Sequence, residues 1–197
     1  MKPGFTLHDA YLDADAQRAL LSDIRRVAKA APLTRPMTPW GKPMSVAMTS
    51  AGRVGWTTDR KGYRYEPHHP SGAPWPPMPE TALAIWRDVS GWDDDPDCML
   101  VNFYGEGAKM GLHRDADENE WNAPVVSVSL GDPARFRMGG LDRKDPTEAV
   151  ELNSGDVLVM GGPARLAYHG VDRIRFGVSP LLKEGGRINL TMRVVRN

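Results

Sequence analysis

Residues 98–115, CMLVNFYGEGAKMGLHRD, decide the fold of this 197-residue chain. From Cys98 onward the sequence consists of short runs with a period near two, and the turn sequence GEG separates the first two of them. This period is typical of β-strands, because successive side chains point to opposite faces. We therefore predict two strands here, Cys98–Tyr104 and Met110–Asp115.

The same pattern continues to the end of the chain. Turn sequences rich in Gly, Pro and Asp separate the runs: GDP, GG, SGD, GGP and EGG. About eight short strands at this spacing are typical of a sandwich or barrel of the jelly-roll type. The further predicted strands are Val125–Leu130, Arg135–Met138, Ala149–Leu152, Val157–Met160, Leu166–His169 and Arg187–Val195.

Helical patterns are confined to the first half. Leu20, Ile24, Val27 and Ala28 recur at the spacing of one helix face and predict a helix over Asp13–Ala30, capped by Asp13. A second helix is predicted over Pro79–Ser90 and a short strand over Met44–Thr49, and the helices are expected to cover one sheet. Residues 50–76, which mix Gly, Pro and aromatic residues, predict a long loop or lid.

Composition limits the function classes. The chain has 25 Lys+Arg and 25 Asp+Glu, so no global charge favours nucleic acid or a membrane, and any DNA binding needs a local patch. Its lone cysteine, Cys98, excludes an intrachain disulfide and fits a reducing compartment. No targeting segment or long apolar run is visible, and the expectation is a single-domain, cytoplasmic, soluble protein without membrane contact.

Three residues have the chemistry of a metal site. His113 and Asp115 are two apart on a predicted strand, so their side chains point to the same face, and His169 ends another predicted strand. Two histidines and one carboxylate on one side of an iron ion leave three open positions, as in non-haem Fe(II) oxygenases. A His-x-acid tripeptide is common by chance, and a surface histidine near an aspartate is the alternative.

The last predicted strand has two different faces. Ile188, Leu190 and Met192 form one face, and Arg187, Asn189, Thr191 and Arg193 form the other. The polar face either lies in water or lines a cavity that binds an anion. The two arginine Cα atoms are about 20 Å apart, and guanidinium groups leaning together leave room for a five-carbon dicarboxylate such as 2-oxoglutarate.

Asn102 and Tyr104, two apart on the first strand, could add polar contacts to that ligand, or serve cross-strand packing. These two interpretations stay open on the pattern alone.

Longer stretches resemble the AlkB-type Fe(II)/2-oxoglutarate dioxygenases. The resemblance covers about residues 14–193, and the ordered matches give it a specificity that the tripeptide lacks. The residues before Ala14, the ENEWNAP loop (118–124) and Met160, where a tryptophan is found in the family, depart from it. The matching stretches are MSVAMT (44–49), GWTTDRKGYRYEP (55–67), VNFYGEGAKMGLHRDADE (101–118), APVVSVSLG (123–131), GGLDRKDP (139–146), GDVLVMGGPARLAYHG (155–170) and RINLTMR (187–193).

The resemblance implies a double-stranded β-helix, at about residues 98–195, and a nucleotide-recognition lid at about residues 36–76. It implies Fe(II), 2-oxoglutarate and O2 as cofactor and cosubstrates. The implied iron ligands are His113, Asp115 and His169, and the implied 2-oxoglutarate contacts are Asn102, Tyr104, Arg187, Asn189 and Arg193.

The resemblance also implies a substrate side. Trp56 would stack on a flipped base, Tyr63 and Tyr65 would contact the nucleotide backbone, and Asp117 would lie near the exocyclic amine of the base. Met48 would line the base pocket and Arg143 its mouth. The alternatives are a lid packed on its own aromatic residues and a solvated acid.

The implied activity is oxidative demethylation of 1-methyladenine and 3-methylcytosine lesions in DNA, with formaldehyde and succinate as products. The implied partner is alkylated DNA, with single strands preferred and RNA as a further substrate, and the protein is expected to be a monomer. Two alternatives remain: a 2-oxoglutarate-dependent hydroxylase of RNA, a small molecule or a protein side chain, and a non-catalytic, metal-dependent nucleic-acid binder.

Overall fold

The computed structural model describes residues 1–196, which form twelve strands and two α-helices. The helices are α1 (Ala14–Ala30) and α2 (Glu80–Val89), and a short 3-10 helix spans Gly162–Ala164. The strands are β1 (Phe5–His8), β2 (Ala47–Gly52), β3 (Gly55–Asp59), β4 (Gly62–Glu66), β5 (Cys98–Tyr104), β6 (Met110–His113), β7 (Val125–Gly131), β8 (Ala134–Met138), β9 (Glu148–Leu152), β10 (Val157–Met160), β11 (His169–Ile174) and β12 (Arg187–Arg193).

Two antiparallel sheets form the main body of the fold. The major sheet has the order β1-β10-β7-β12-β5-β2 and the minor sheet has the order β6-β11-β8-β9. Apolar side chains of both sheets share one buried cluster, to which the major sheet contributes Leu100 and Met160, and the minor sheet Phe136 and Met138. The predicted double-stranded β-helix, mainly β with N-terminal helices, is confirmed.

The helices cover the outer face of the major sheet, as predicted. Leu20 and Ile24 of α1 and Trp86 of α2 pack in one cluster with Leu190 and Met192 of β12. The Asp13 side chain accepts a hydrogen bond from the Ala16 amide at 2.8 Å and so caps α1 as expected. Neither helix in the described part of the chain is long and apolar enough to cross a membrane.

Three predicted strand limits are wrong near the site. Residues 166–168 are not a strand: they follow the 3-10 helix, and β11 starts at His169 instead of ending there. Strand β6 ends at His113, so Asp115 lies just beyond it, and β12 ends at Arg193 rather than Val195. The turn at Gly162–Ala164 keeps residues 165–167 out of the ladder, because the amides of Ala164, Arg165 and Ala167 bond locally to the carbonyls of Gly161, Gly162 and Ala164.

The segment predicted as a loop or lid contains regular structure. Strands β3 and β4 form a two-stranded hairpin in which Trp56 faces Tyr65 and Thr58 faces Tyr63. The preceding residues form an arm whose isolated bridges join Thr34 to Met48 and Met37 to Pro43. These elements lie between α1 and α2, and the assignment of residues 36–76 as a lid stays a prediction.

Candidate metal and cosubstrate site

The two histidines of the predicted metal site lie directly opposite each other on paired strands. In the antiparallel β6–β11 pair, His113 is the register partner of His169, and their ring centroids are 4.5 Å apart. Gly170 permits this close pairing, because a Cβ there would lie 2.7 Å from the Met110 carbonyl oxygen. The sequence therefore brings the two imidazoles together through strand register.

Asp115 completes a group of three metal ligands. Its carboxylate oxygens lie 3.9 Å from Nε2 of His113 and 3.9 Å from Nε2 of His169, and the three ligand atoms lie within 4.8 Å of one another. Nδ1 of His113 lies 2.9 Å from the Gly111 carbonyl oxygen, and Nδ1 of His169 lies 3.0 Å from that of Ala167. A proton on each Nδ1 leaves the Nε2 lone pair free for a metal.

The charge state of the ligands suits a divalent cation. Burial opposes ionisation of Asp115, but Arg193, His169 and His113 outweigh it and hold the pKa of this carboxyl well below its usual range. Burial, together with the charge of His113, lowers the pKa of His169 to about 4. Near neutral pH the site therefore offers a carboxylate and a neutral His169 imidazole, which fit the two-histidine, one-carboxylate ligand set of Fe(II).

The polar face of β12 lines a cavity of about 200 Å³ beside the three ligands. Arg187, Asn189, Thr191 and Arg193 all border it, and Arg187 and Arg193 are almost completely buried. The alternative in which this face lies in water is therefore wrong. Asn102 and Tyr104 of β5 border the same cavity opposite Asn189 and Arg187 in the β5–β12 register.

Arg187 is a buried cation whose hydrogen-bonding capacity is incompletely used. Its Nη2 donates to Ser129 Oγ at 2.7 Å and Nη1 lies 3.3 Å from the Leu152 carbonyl oxygen, while Nε has no partner. Within residues 1–196 no carboxylate forms an ion pair with it, and burial lowers its pKa to about 10 despite Tyr104 and Asp156. A buried charge without a counterion is costly, so this cavity fits an anionic ligand.

Asn102 also borders the cavity with unused capacity, because its Oδ1 is buried without a hydrogen-bond partner and can accept from a donor group of a ligand or from water. Asn189, in contrast, is already engaged: its amide donates to Ser127 Oγ at 2.7 Å and its Oδ1 accepts from Thr191 at 3.0 Å. Arg187 is thus the residue with a free donor for a cosubstrate carboxylate, while contacts from Asn102, Tyr104 and Asn189 stay predictions.

Arg193 lies at the metal end of the cavity. Its Nη2 donates to Asp115 Oδ2 at 2.8 Å, and its Nη1 donates to the Tyr65 hydroxyl at 3.3 Å. Its position therefore differs from that of Arg187, because it is paired with the predicted iron ligand itself.

Four of the six predicted substrate residues border the cavity: Met48, Trp56, Tyr63 and Asp117. Trp56 stacks on Tyr63 with centroids 5.5 Å apart, and its Nε1 donates to Asp117 Oδ2 at 3.0 Å. Tyr65 points its hydroxyl to Glu118, and the Arg143 guanidinium lies over the Tyr168 ring at 5.8 Å. Neither of these two lines the cavity, and their substrate contacts stay predictions.

Sequence reasoning missed two buried charged residues beside the site, Glu118 and Arg165. Glu118 belongs to the loop that departs from the family pattern, and Arg165 lies in the matching stretch 155–170, just before the predicted strand Leu166–His169. No periodicity marks either residue, because both lie outside regular strands. The acidic run 115–118 was their nearest signal in the sequence.

Comparison with known proteins agrees with this geometry. The family model of the 2OG-Fe(II) oxygenase superfamily matches residues 4–193. This chain belongs to that superfamily. The oxygenase is therefore an Fe(II)/2-oxoglutarate-dependent dioxygenase that uses O2, and the His113, Asp115 and His169 side chains are its candidate iron ligands.

Individual relatives cover most of this oxygenase. It is 53% identical over 195 residues to the alpha-ketoglutarate-dependent dioxygenase AlkB homolog of Caulobacter vibrioides, with 98% of this chain and 89% of that protein covered. It is 46% identical over 184 residues to AlkB of Escherichia coli, with 91% and 85% covered. The solved structure of OsALKBH1 superposes with a TM-score of 0.84 at 32% identity and covers 98% of both chains.

Proposed function

We propose that this oxygenase repairs DNA by oxidative removal of N-methyl groups from bases, with 1-methyladenine and 3-methylcytosine as the lesion type. One observation carries the proposal: the cavity that holds the metal ligands also contains an aromatic face and a carboxylate, Trp56 and Asp117, hydrogen-bonded to each other. Such methylated bases are cationic near neutral pH. A cation is attracted both by an indole face and by a carboxylate.

Each step of this reaction has candidate residues in this chain. Iron would be held by His113, Asp115 and His169. The distal carboxylate of 2-oxoglutarate would be bound by Arg187 and Tyr104. When bound, iron and 2-oxoglutarate supply the oxidation of the N-methyl group by O2, with succinate, CO2 and formaldehyde as products. The protein supplies the position of the base and the exclusion of water. Arg193, with Asn102, would act at the keto-acid end, and Asn189 would add a further contact.

The substrate base has to leave its stack to reach the cavity. A lesion that blocks pairing lowers the cost of extrusion, and a single strand lowers it further. We therefore expect single-stranded DNA to be the preferred substrate, with RNA as a further substrate. We expect residues 36–76 to act as a lid over the cavity. The enzyme is expected to be a single-domain, cytoplasmic monomer. Met48 would line the base pocket, Tyr63 and Tyr65 would contact the backbone, and Arg143 would lie at the mouth.

The deciding experiment is formaldehyde release. The protein, loaded anaerobically with Fe(II) and 2-oxoglutarate, receives an oxygen pulse in the presence of an oligonucleotide with one 3-methylcytosine. We expect about one formaldehyde per repaired base and none from the unmethylated oligonucleotide. Succinate formed without formaldehyde from any methylated nucleic acid would favour a small molecule or a protein side chain as the substrate.

Trp56→Ala tests the base contact. Loss of a stacking platform costs about 1–3 kcal/mol per base, so kcat/KM for the methylated oligonucleotide should fall about 5- to 150-fold. The 2-oxoglutarate affinity should stay unchanged, because the indole bonds to Asp117 and stacks on Tyr63. Trp121→Ala, which removes a half-exposed indole outside the cavity, is the matched control. An equal loss of cosubstrate affinity in Trp56→Ala would make Trp56 a structural support.

A further inference from the structure

A network of buried charges connects the metal ligand Asp115 to the β3–β4 hairpin. Its members are two guanidinium groups, Arg165 and Arg193, and two carboxylates, Asp115 and Glu118, all at least nine-tenths buried. The hydroxyl of Tyr65, on β4, is the fifth member. The formal charges of the four ionised groups cancel, so each one depends on the others for compensation.

Arg165 fixes the loop that follows β6. Its Nη1 donates to the Asp115 carbonyl oxygen at 2.8 Å, and its Nε donates to the Ala123 carbonyl oxygen at 2.9 Å. Its Nη2 donates to the Glu118 carboxylate at 3.1 Å. One guanidinium group therefore holds both ends and the middle of residues 115–123, including the backbone of the predicted iron ligand.

Glu118 extends the network to the hairpin. One carboxylate oxygen pairs with Arg165, and the other accepts the Tyr65 hydroxyl and lies 3.6 Å from Nε of Arg193. The same hydroxyl accepts a hydrogen bond from Arg193 at 3.3 Å. Tyr65 thus joins the hairpin to both Glu118 and Arg193, and Arg193 in turn holds Asp115 at 2.8 Å.

We propose that Arg165, Glu118 and Tyr65 are positioning residues that couple the place of the β3–β4 hairpin to the iron and 2-oxoglutarate end of the cavity. The proposal rests on the roles of Asp115 and Arg193 under the proposed function. It concerns the binding of metal and cosubstrate and does not depend on which substrate is oxidised. With the hydroxyl of Tyr65 in place, Arg193 and Asp115 keep the orientation that binds metal and cosubstrate. Displacement of the hairpin removes the hydroxyl contact, and Arg193 and Asp115 then lose this orientation.

The hydroxyl of Tyr65 is the best point to interrupt this coupling, because it is neutral. Removal of any of the four charged groups leaves an uncompensated buried charge, which threatens the whole fold. Tyr65→Phe keeps the ring and removes only the hydrogen bonds to Glu118 and Arg193. Tyr11→Phe makes the same change at a tyrosine whose hydroxyl donates to Asp88, outside both the network and the cavity.

The experiment measures anaerobic binding of Fe(II), and then of 2-oxoglutarate, by calorimetry without nucleic acid. We expect Tyr65→Phe to weaken 2-oxoglutarate binding about 3- to 10-fold, the effect of a lost hydrogen bond, and Tyr11→Phe to leave it unchanged. In turnover, the KM for 2-oxoglutarate should rise with kcat retained at saturation. Equal affinities in the two variants and the wild type would overturn the proposal.

Glu118→Gln keeps the size of the side chain and removes its charge, and it provides a second measurement on protein that circular dichroism shows to be folded. Glu118 balances Arg165 and Arg193, which in turn hold Asp115. Loss of a direct outer partner of a metal ligand typically costs 10- to 100-fold in metal affinity, so we expect Fe(II) affinity to fall about 10-fold, at the lower end of that range. Glu106→Gln neutralises an exposed carboxylate outside both the network and the cavity, and it should leave Fe(II) affinity unchanged. Equal Fe(II) affinity in the two variants would contradict the proposal, and neither measurement depends on whether methylated DNA is the substrate.

Discussion

His113→Ala is expected to abolish Fe(II)-dependent turnover while the free energy of unfolding stays within about 0.5 kcal/mol of wild type. The side chain is 40% exposed, so its loss removes little packing. Its Nε2 is nevertheless one of the three converging ligand atoms. The loss of activity should exceed the 10- to 100-fold that removal of an outer partner of a metal ligand causes. Formaldehyde release and anaerobic Fe(II) binding measure it.

The control is His68→Ala, which removes an exposed histidine outside the cavity. It should retain both Fe(II) binding and turnover. Full activity of His113→Ala would remove this residue from the ligand set and with it the proposed iron site.

Asp115 is the ligand whose removal should affect both activity and stability. It accepts from Arg193 at 2.8 Å inside the protein, so an alanine leaves a buried guanidinium group whose remaining carboxylate is Glu118, 3.6 Å away. Breaking a buried pair costs about 3–5 kcal/mol. The difference from His113 illustrates that ligands of the same metal can be unequal in their structural role.

The fold was largely predictable because its strands carry their pattern locally. Cys98–Tyr104 and Val157–Met160 have the predicted limits, since the turn sequences that bound them break the ladder at defined residues. The hairpin β3–β4 was not predicted, because its aromatic residues are partly exposed and its two strands pair only with each other. Strand β1 was missed for a related reason: it is four residues long and exists through its pairing with β10.

The structure brings the three predicted metal ligands together, but not in the way that strand alternation indicated. The argument from strand alternation placed His113 and Asp115 on one face, but Asp115 lies beyond the end of β6. Its carboxylate is brought to the histidines by Arg193, and its backbone is held by Arg165. The residues that make each of these contacts are more than 45 positions apart in sequence, so no local sequence pattern indicates them. The long-range charge network is therefore the part of the site that sequence periodicity cannot supply.

Arg187→Lys is expected to raise the KM for 2-oxoglutarate about 10- to 150-fold, with Fe(II) affinity retained. A lysine keeps the charge but loses the planar fork that binds a carboxylate with two hydrogen bonds. One charge-assisted hydrogen bond contributes about 1.5–3 kcal/mol, which corresponds to this range. Arg173→Lys, an exposed arginine on the minor sheet, is the matched control and should leave the KM unchanged.

Arg187→Met separates ligand binding from structural support. Arg187 is 1% exposed, has no carboxylate partner among the described residues and has a free Nε, so the ligand-free protein carries an uncompensated charge. Its replacement by an apolar side chain of similar length should leave the ligand-free protein as stable as wild type or more stable.

The stabilisation by ligand should differ in the opposite sense. The free energy of unfolding of wild type should rise by about 2.7 kcal/mol at a 2-oxoglutarate concentration 100 times Kd, and that of the variant should hardly change. A variant that is destabilised without ligand, yet still stabilised by 2-oxoglutarate, would show that Arg187 supports the sheet instead of binding the cosubstrate. Chemical denaturation with and without 2-oxoglutarate, in the presence of a redox-inert divalent metal, distinguishes the two results.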